Sequence, residues 1–311
     1  LTAANNQAAG ASNNRLAILA GEYPSYKQRS LQFITIATTG NASLFGDLVG
    51  TDIGSGGISS PTRGIIHGID RNPATLKMTQ FFEIATKGNA QDFGELVNNY
   101  KAQAGASSST RGLSMAGYIN SSSQANTIEF CTIATRGNFQ DFGDLTQVRH
   151  SGGGTWNCTR AICIGGATGS SGSNTNVIDS VTIASTGNAT DFGDLTAARD
   201  RTCGCASPTR GLTGPGYSPP NSLQIIDFVT TASTGNAIDF GDTTVLSSMG
   251  DATSNNIRGL FFGGAQNPDM AKSNIDVVTI ATTGNAILFG DLPLGGRGGG
   301  GAADSTRAVM G

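Results

Sequence analysis

The sequence predicts an all-β fold, a β-propeller of four-stranded antiparallel blades. One block returns six times along the 311 residues, and a clear copy is TIATTGNASLFGDL at Thr35–Leu48. The glycine of its Gly-Asn pair recurs every 48 to 50 residues, at Gly40, Gly88, Gly137, Gly187, Gly235 and Gly284. Gly, Ser, Thr and Asn separate short apolar runs, as in chains of short strands joined by turns. A period near fifty residues with four short strands per unit is typical of propeller blades.

A second recurring element is an arginine that usually follows Thr and precedes an apolar run. It occurs at Arg63, Arg111, Arg160, Arg210 and Arg258, with looser copies at Arg15 and Arg307. We therefore divide a single domain, 1–311, into units near 15–62, 63–110, 111–159, 160–209, 210–257 and 258–306, with partial units at 1–14 and 307–311. Seven arginine elements against six Gly-Asn blocks favour seven blades, with about thirty further residues beyond Gly311. Six blades closed by the chain ends is the alternative.

Each unit is expected to contribute four strands. The first is the apolar run after the arginine, such as Ala161–Gly165. The second, such as Asn176–Ser185, is apolar on both faces and should therefore lie buried between neighbouring blades. The third carries the Phe-Gly-Asp sequence, and the fourth is variable and polar, as expected of the outer edge of a blade. A right-handed β-solenoid is the competing fold, but its coils are usually much shorter than this repeat.

The composition excludes several classes of partner and site. Charged residues make up 13% and the net charge is −3, so no basic surface is available for nucleic acid. No apolar run approaches the ~20 residues of a membrane span, and membrane insertion is not expected. Low charge favours an extracellular or virion location. The five cysteines do not recur with the repeat, and we interpret them as small buried side chains rather than disulfides or a zinc site.

The repeated acids and arginines are interpreted as structural. The acids of the Phe-Gly-Asp sequence are Asp47, Asp144, Asp194, Asp242 and Asp291, with Glu95 in the remaining unit. A catalytic site needs one constellation of separately tuned groups, whereas a residue present in every unit lies at six places around a ring. We expect Asp–Arg or Asp–backbone ties within or between blades.

No catalytic residue, metal ion or cofactor is predicted. Asp92, Asp141, Asp191 and Asp239 could contribute to a Ca²⁺ loop, but Asn-x-x-Asp is also ordinary turn sequence. His67 and His150 lie in different units and have no repeated acidic partner. We therefore expect a protein that is not an enzyme.

The connections that follow the first strand vary between units and should emerge on one face of the ring. Propellers use such faces for partners. Four of the five tyrosines lie in these connections, and tyrosine is a favoured contact residue. The candidate binding residues are Tyr23, Tyr26, Arg71, Tyr118, Tyr217 and Asn267.

The repeated block, of the form TIATxGNAxDFGDL, together with the RGLFFGG strand at Arg258–Gly264, resembles repeat proteins of marine bacteriophages, cyanophages among them. The resemblance covers essentially the whole chain. The Gly-Gly doublets are similar to those of kelch repeats, although the kelch Tyr and Trp positions are not present. The phage proteins are regarded as propeller-like components of the virion or its tail.

The resemblance implies a non-enzymatic structural or attachment protein of a phage virion, as a capsid decoration, tail or fibre component. Its expected partners are other virion proteins, with a host-surface glycan as a further candidate. The alternative is a secreted, extracellular bacterial propeller of lectin-like or adhesive type that binds surface glycans.

Overall fold

A computed structural model shows a ring of antiparallel β-sheets, which confirms the predicted all-β propeller with four-stranded blades. The structure describes residues 9–13, 15–20, 29–50, 56–67, 70–71, 74–75, 77–100, 103–120, 123–169, 173–266 and 270–310. Within these ranges, no helix is long and apolar enough to cross a membrane.

Six blades have four strands each, ordered from the innermost strand outwards. Blades 1 to 3 are β1 (Ala9–Ser12), β2 (Leu16–Ala20), β3 (Ser30–Thr35), β4 (Ser43–Asp47); β5 (Gly56–Ser59), β6 (Arg63–His67), β9 (Met78–Glu83), β10 (Gln91–Glu95); and β11 (Ala104–Ser107), β12 (Arg111–Asn120), β13 (Ser123–Thr132), β14 (Gln140–Asp144). Blades 4 to 6 are β15 (Gly153–Trp156), β16 (Arg160–Ile164), β17 (Val177–Thr182), β18 (Thr190–Asp194); β19 (Gly204–Ala206), β20 (Arg210–Thr213), β22 (Asn221–Thr230), β23 (Ile238–Ser247); and β24 (Asp251–Ser254), β25 (Arg258–Phe262), β27 (Met270–Thr279), β28 (Ile287–Gly296).

The remaining strands are short. Four of them belong to connections between the second and third strands of a blade: β7 (Asp70–Arg71), β8 (Ala74–Thr75), β21 (Tyr217–Ser218) and β26 (Ala265–Gln266). The other two, β29 (Gly301–Ala303) and β30 (Ala308–Met310), form a two-stranded sheet.

The strand order within a blade differs from the predicted one. The variable strand before the arginine, expected at the outer edge, is innermost, and Phe-Gly-Asp lies on the outermost strand. Inner strands of neighbouring blades converge at the axis, where only small residues fit. A Cβ added to Gly204 would lie 2.5 Å from the carbonyl oxygen of Gly154, and one added to Gly57 would overlap the carbonyl oxygen of Gly10. The inner strand is therefore rich in glycine, alanine and serine, and this composition resembles that of a polar strand at the exposed edge of a blade.

The apolar strand predicted as the second of each unit is the third from the axis, and it lies buried between neighbouring blades, as its pattern predicts. In blade 4, β17 pairs with β16 on one side and with β18 on the other. Both of its faces are covered by neighbouring blades. One core cluster packs Leu113, Ile128 and Phe142 of blade 3 against Val181 and Ile183 of blade 4. Burial of such apolar surface between blades, at about 25 cal/mol per Å², holds the ring together.

The described residues form six four-stranded blades, so the preference for seven is not supported. The two-stranded sheet lies in the ring between blade 6 and blade 1, because β29 contacts both β24 and β1. On the blade 6 side, the Asp251 carboxylate accepts a hydrogen bond from the Gly301 amide. On the blade 1 side, Ala302 packs with Ala17 and Ile36.

Candidate binding surface

The two ends of the ring carry different connections. One end, which we call the loop face, carries the connections between the second and third strands of each blade. It also carries the connections from the outer strand of one blade to the inner strand of the next. The other end, the turn face, carries the Gly-Asn turns and the short turns before the arginines. Tyr118 and Tyr217 lie on the loop face, and Arg71 lies in β7, within one of its connections. Tyr23, Tyr26, Asn267 and the Arg71 side chain fall outside what the structure describes.

Tyr118 of blade 3 stacks on His150, which lies in the connection to blade 4. The ring centroids are 3.7 Å apart and the planes are inclined by 26°. His150 Nδ1 lies 2.9 Å from Ser151 Oγ, and the His150 backbone bridges Ala167 of blade 4. Burial lowers the pKa of His150, so its ring is neutral at neutral pH. The stack therefore fixes an uncharged aromatic pair at the junction of two blades.

A relay of backbone hydrogen bonds runs around the axis on the loop face. The Arg201 amide donates to the Ser151 carbonyl (2.7 Å), the Met249 amide to the Arg201 carbonyl (3.0 Å) and the Gly298 amide to the Met249 carbonyl (2.8 Å). Ser151, Arg201 and Met249 have φ values of 54°, 54° and 58°, which are uncommon for residues other than glycine. The relay holds these strained residues in place and makes a rigid platform at the mouth of the axis.

Blade 5 adds a cation and a second tyrosine to this platform. The Arg201 guanidinium carbon lies 5.0 Å from the centroid of the Tyr217 ring, within range of a cation–π interaction. Asp200 Oδ2 lies 3.7 Å from Arg201 Nε, and burial raises the pKa of this carboxyl. The Asn174 side-chain amide of blade 4 donates to the Tyr217 carbonyl at 2.5 Å. Arg201 itself remains exposed to solvent.

Together these groups form what we call the tyrosine arc: Tyr118, His150, Asn174, Arg201 and Tyr217. Blades 3, 4 and 5 contribute to it, and its members come from connections that the repeat does not fix. Half-buried tyrosine rings and an exposed guanidinium on rigid backbone are groups that protein surfaces use to bind partners by stacking and hydrogen bonding, while the Asn174 amide is taken up by the Tyr217 carbonyl. The sequence predicted the two tyrosines, but it did not predict His150, Asn174 or Arg201 as their neighbours.

The reactive side chains are placed for packing. Burial lowers the pKa of His67 to about 4, and its Nδ1 lies 3.1 Å from Gln103 Oε1. All five cysteines are free, and four of them are buried. Burial raises the pKa of Cys131 and Cys205 to about 12, which keeps their thiols protonated. In the part of the chain that the structure describes, no group of three or more His, Cys, Asp or Glu side chains could hold a metal ion.

The repeated arginines lie between blades. Arg111 Nη1 donates to the carbonyl of Ile183 in the next blade at 2.9 Å, and its guanidinium carbon lies 4.5 Å from the Phe130 ring centroid. Arg63, Arg160 and Arg210 donate in the same way to the carbonyls of Ile133, Thr231 and Ile280. Arg258, in blade 6, is exposed.

The acids of the Phe-Gly-Asp sequence contact the next blade through their backbone. The amides of Asp47, Glu95, Asp144, Asp194 and Asp242 donate to the side-chain oxygens of Asn89, Asn138, Asn188, Asn236 and Asn285. These bonds join the outer strand of one blade to the Gly-Asn turn of the next. The Asp291 carboxylate accepts from Ser273 Oγ at 3.2 Å within its own blade. Asp141, Asp191 and Asp239 instead accept from the glycine two residues on, as in an ordinary Asx turn.

One repeated position escaped the sequence analysis. A polar residue recurs in the middle of the third strand, at Gln32, Gln80, Glu129, Asp179, Asp227 and Asp276, and all six side chains are buried. In blades 4 and 5 it pairs with a fully buried arginine: Arg149 Nη2 lies 2.5 Å from Asp179, and Arg199 Nη1 lies 3.0 Å from Asp227. The signal was present as one polar residue per apolar strand at the period of the repeat.

The turn face has its own hollow at the mouth of the axis. A cavity of about 580 Å³ is lined by serines of the inner strands, among them Ser12, Ser59 and Ser107, and by Trp156. The Trp156 side chain is 40% exposed. This hollow is wide and lined mainly by serines, and it offers one aromatic side chain, at the end opposite the tyrosine arc.

The fold is similar to that of a known propeller structure. The chain matches a solved structure described as "Structure of YjhT" with a TM-score of 0.73 and 9% sequence identity, over 93% of this chain and 98% of that chain. At this identity the likeness shows the fold alone. No protein-family model and no curated protein matches the chain.

Proposed function

We propose that this protein is a non-enzymatic structural and attachment protein of a phage virion, and that it binds its partner through the loop face. The observation that carries the proposal is that repeated positions and irregular connections of the chain have different roles. The repeated Arg, Gly-Asn and Phe-Gly-Asp positions make contacts between blades, whereas the tyrosine arc is built from irregular connections. A rigid ring with a variable face is the usual arrangement of a binding scaffold.

The virion assignment rests on the resemblance of the TIATxGNAxDFGDL block to phage repeat proteins and on the low charge of the chain. The partners are other virion proteins, with a host-surface glycan as the second class. Immunogold labelling of purified phage particles, with antibodies raised against this chain, tests the assignment. We expect labelling at one fixed place on each particle. Recovery of the protein only from culture medium, with unlabelled particles, would contradict it.

The alternative, a secreted adhesive propeller, is favoured by the combination of two half-buried tyrosine rings and the exposed Arg201 guanidinium in the tyrosine arc, which suits stacking and hydrogen bonding to a glycan. Binding of the isolated protein to a bacterial glycan array separates the two functions. Adhesion predicts binding that the double variant Tyr118→Ala/Tyr217→Ala loses and that Trp156→Ala, on the turn face, retains. Gold labelling of particles together with no glycan binding would support the virion role and rule out the adhesive one.

A further inference from the structure

Among the described residues, no strand packs against the outer flank of blade 6, which we call the open flank: Arg258, Val277, Phe289, Gly290 and Leu292. We propose that it is a docking site for a β-hairpin of this protein's own repeat type, that is, the third and fourth strands of a blade. The proposal concerns a different surface from the tyrosine arc and does not rest on the proposed function.

The side chain of Phe289 is far more exposed than those of the equivalent phenylalanines in the other blades. It is 60% exposed, whereas its equivalents Phe45, Phe93, Phe142, Phe192 and Phe240 are 2% to 4% exposed. In blade 3, the equivalent Phe142 packs in one cluster with Ile183 and Ala189, which lie directly after the third strand of blade 4 and in its Gly-Asn turn. The flank of blade 6 therefore has an apolar surface that matches a third strand and its turn.

The backbone of blade 6 presents the same hydrogen-bonding groups as the other blades. Between blades 3 and 4, the Gly187 amide donates to the Phe142 carbonyl (2.7 Å) and the Ala189 amide to the Asp144 carbonyl (2.8 Å). Phe289 and Asp291 carry the equivalent carbonyls. A Cβ added to Gly143 would lie 2.5 Å from the Gly187 carbonyl, but one added to Gly290 would meet nothing within 4 Å. The place of a Gly-Asn turn beside Gly290 is open in the described chain.

A cavity of about 420 Å³ adjoins these groups. Arg258, Leu260, Phe262 and Val277 line it on the blade 6 side. Arg258 occupies the position from which Arg111 donates to the Ile183 carbonyl of the next blade, so a docked third strand would bring it an acceptor.

The two-stranded sheet supplies the edge on which such a hairpin would pair. In a complete blade the second strand pairs with the third, as Arg160 does with Thr182. The equivalent second strand beside the open flank is β30, and among the described strands it pairs only with β29. An unpaired edge between two apolar faces is a template for strand addition. On the far side, no described residue donates to the Asn41 side chain of blade 1, whereas the equivalent Asn89 accepts from the Asp47 amide.

A hairpin fits this site better than an intact second copy. In an intact copy the third and fourth strands of blades 1 to 6 are already paired within their own sheets, so a copy could donate them only by unfolding a blade. The complementary surface is instead that of a free strand pair with a buried apolar strand, a Gly-Asn turn and a Phe-Gly-Asp strand. A docked hairpin would repeat on the open flank the contacts that join the other blades.

The test uses a fluorescent peptide with the sequence of residues 177–196, VIDSVTIASTGNATDFGDLT, titrated against the full chain by anisotropy. We expect saturable binding of one peptide per protein. Gly290→Ala should weaken it at least about tenfold, because the added methyl group meets the incoming turn, while the thermal midpoint of the free protein stays unchanged. A peptide with the Asn188→Leu change should also bind more weakly, since it lacks the side-chain acceptor.

Hydrogen exchange gives a second readout in case the peptide self-associates. Protection of the amides of Ala308–Met310 on peptide addition supports docking at β30. Tyr118→Ala should leave peptide binding unaffected, which separates this site from the loop face. No saturable binding up to about 1 mM peptide, or equal binding to wild type and Gly290→Ala, would overturn the proposal. A dimer in sedimentation that Phe289→Ser disrupts would assign the flank to a second copy and would also overturn it.

Discussion

The α-carbon of Gly143, in the outer strand of blade 3, faces the carbonyl of Gly187 in the turn of blade 4, and a Cβ at Gly143 would lie 2.5 Å from that group. Gly143 has φ of 144°, in a region that disfavours other residues. The same contact recurs where Gly94 faces Gly137 and where Gly193 faces Gly235. The Gly-Asn and Phe-Gly-Asp motifs are thus the two halves of one joint between blades.

Gly143→Ala should destabilise the protein by about 3 kcal/mol, because it adds both a backbone overlap and φ strain. Chemical unfolding measures the change. Gly290→Ala is the matched control, since its added methyl group meets nothing within 4 Å. That variant should stay within about 0.5 kcal/mol of wild type. Equal losses in the two variants would show that the joint between blades is not the cause.

Arg111→Gln should cost about 1–2 kcal/mol, because it removes a charged hydrogen bond to the Ile183 carbonyl and the cation–π contact with Phe130. The thermal midpoint should fall accordingly. Arg258→Gln changes the equivalent residue in blade 6, which is exposed, and should have little effect. A larger effect at Arg258 than at Arg111 would be inconsistent with a tie between blades.

Asp179→Asn should cost about 3–5 kcal/mol, since it leaves the fully buried Arg149 guanidinium without its carboxylate. Asp276 is the control. It accepts from the Thr244 amide and hydroxyl at 2.8 Å and 2.6 Å, as Asp179 does from those of Thr146, but Ser247 stands at the position equivalent to Arg149. Asp276→Asn should therefore cost only about 1–2 kcal/mol by denaturant unfolding. If both changes cost the same, the arginine is not what makes Asp179 important.

The stability of the protein should depend on the protonation of Glu129. Burial raises the pKa of this carboxyl to about 7, although the Val97 and Asn98 amides that donate to it act in the opposite direction. Because the folded-state pKa lies above the ordinary value of 4.5, the stabilisation is present below about pH 4.5 and is lost as the pH rises through 7.

Glu129→Gln should flatten this part of the pH profile and stabilise the protein at pH 8. The structure holds a precedent, because the Gln80 amide oxygen accepts from the Val49 amide at 2.5 Å in the equivalent place of blade 2. Thermal midpoints of both proteins between pH 4 and pH 8 provide the measurement. A steeper fall in Glu129→Gln than in wild type would reverse the assigned sign.

The sequence predicts the ring well because each blade imposes the same burial and turn requirements on the same positions of the repeat. A strand such as Val177–Thr182 carries buried apolar residues on both faces because two blades cover it, and that pattern is visible without the fold. The inner strand was misplaced because glycine, alanine and serine at the axis resemble an exposed edge. A requirement for small residues at the axis and a requirement for polar residues at an exposed edge select the same residue types.

The tyrosine arc could be predicted only in part. Variable connections that follow the same strand indicate one face, and this places Tyr118 and Tyr217. The stacking of His150 on Tyr118 depends on the path between two blades, and the contact of Arg201 with Tyr217 depends on the backbone relay from Ser151. Neither leaves a periodic signal, since each contact occurs once among the described residues.

Hydroxyl-radical footprinting of the protein, isolated and bound in purified particles, tests most directly which end of the ring binds the partner. Tyr217 and Met270, which is 61% exposed, report on the loop face, and Trp156 reports on the turn face. We expect Tyr217 and Met270 to lose reactivity in the particle while Trp156 keeps it. Protection of Trp156 with Tyr217 and Met270 still fully reactive, or no protection at either end, would contradict binding through the loop face.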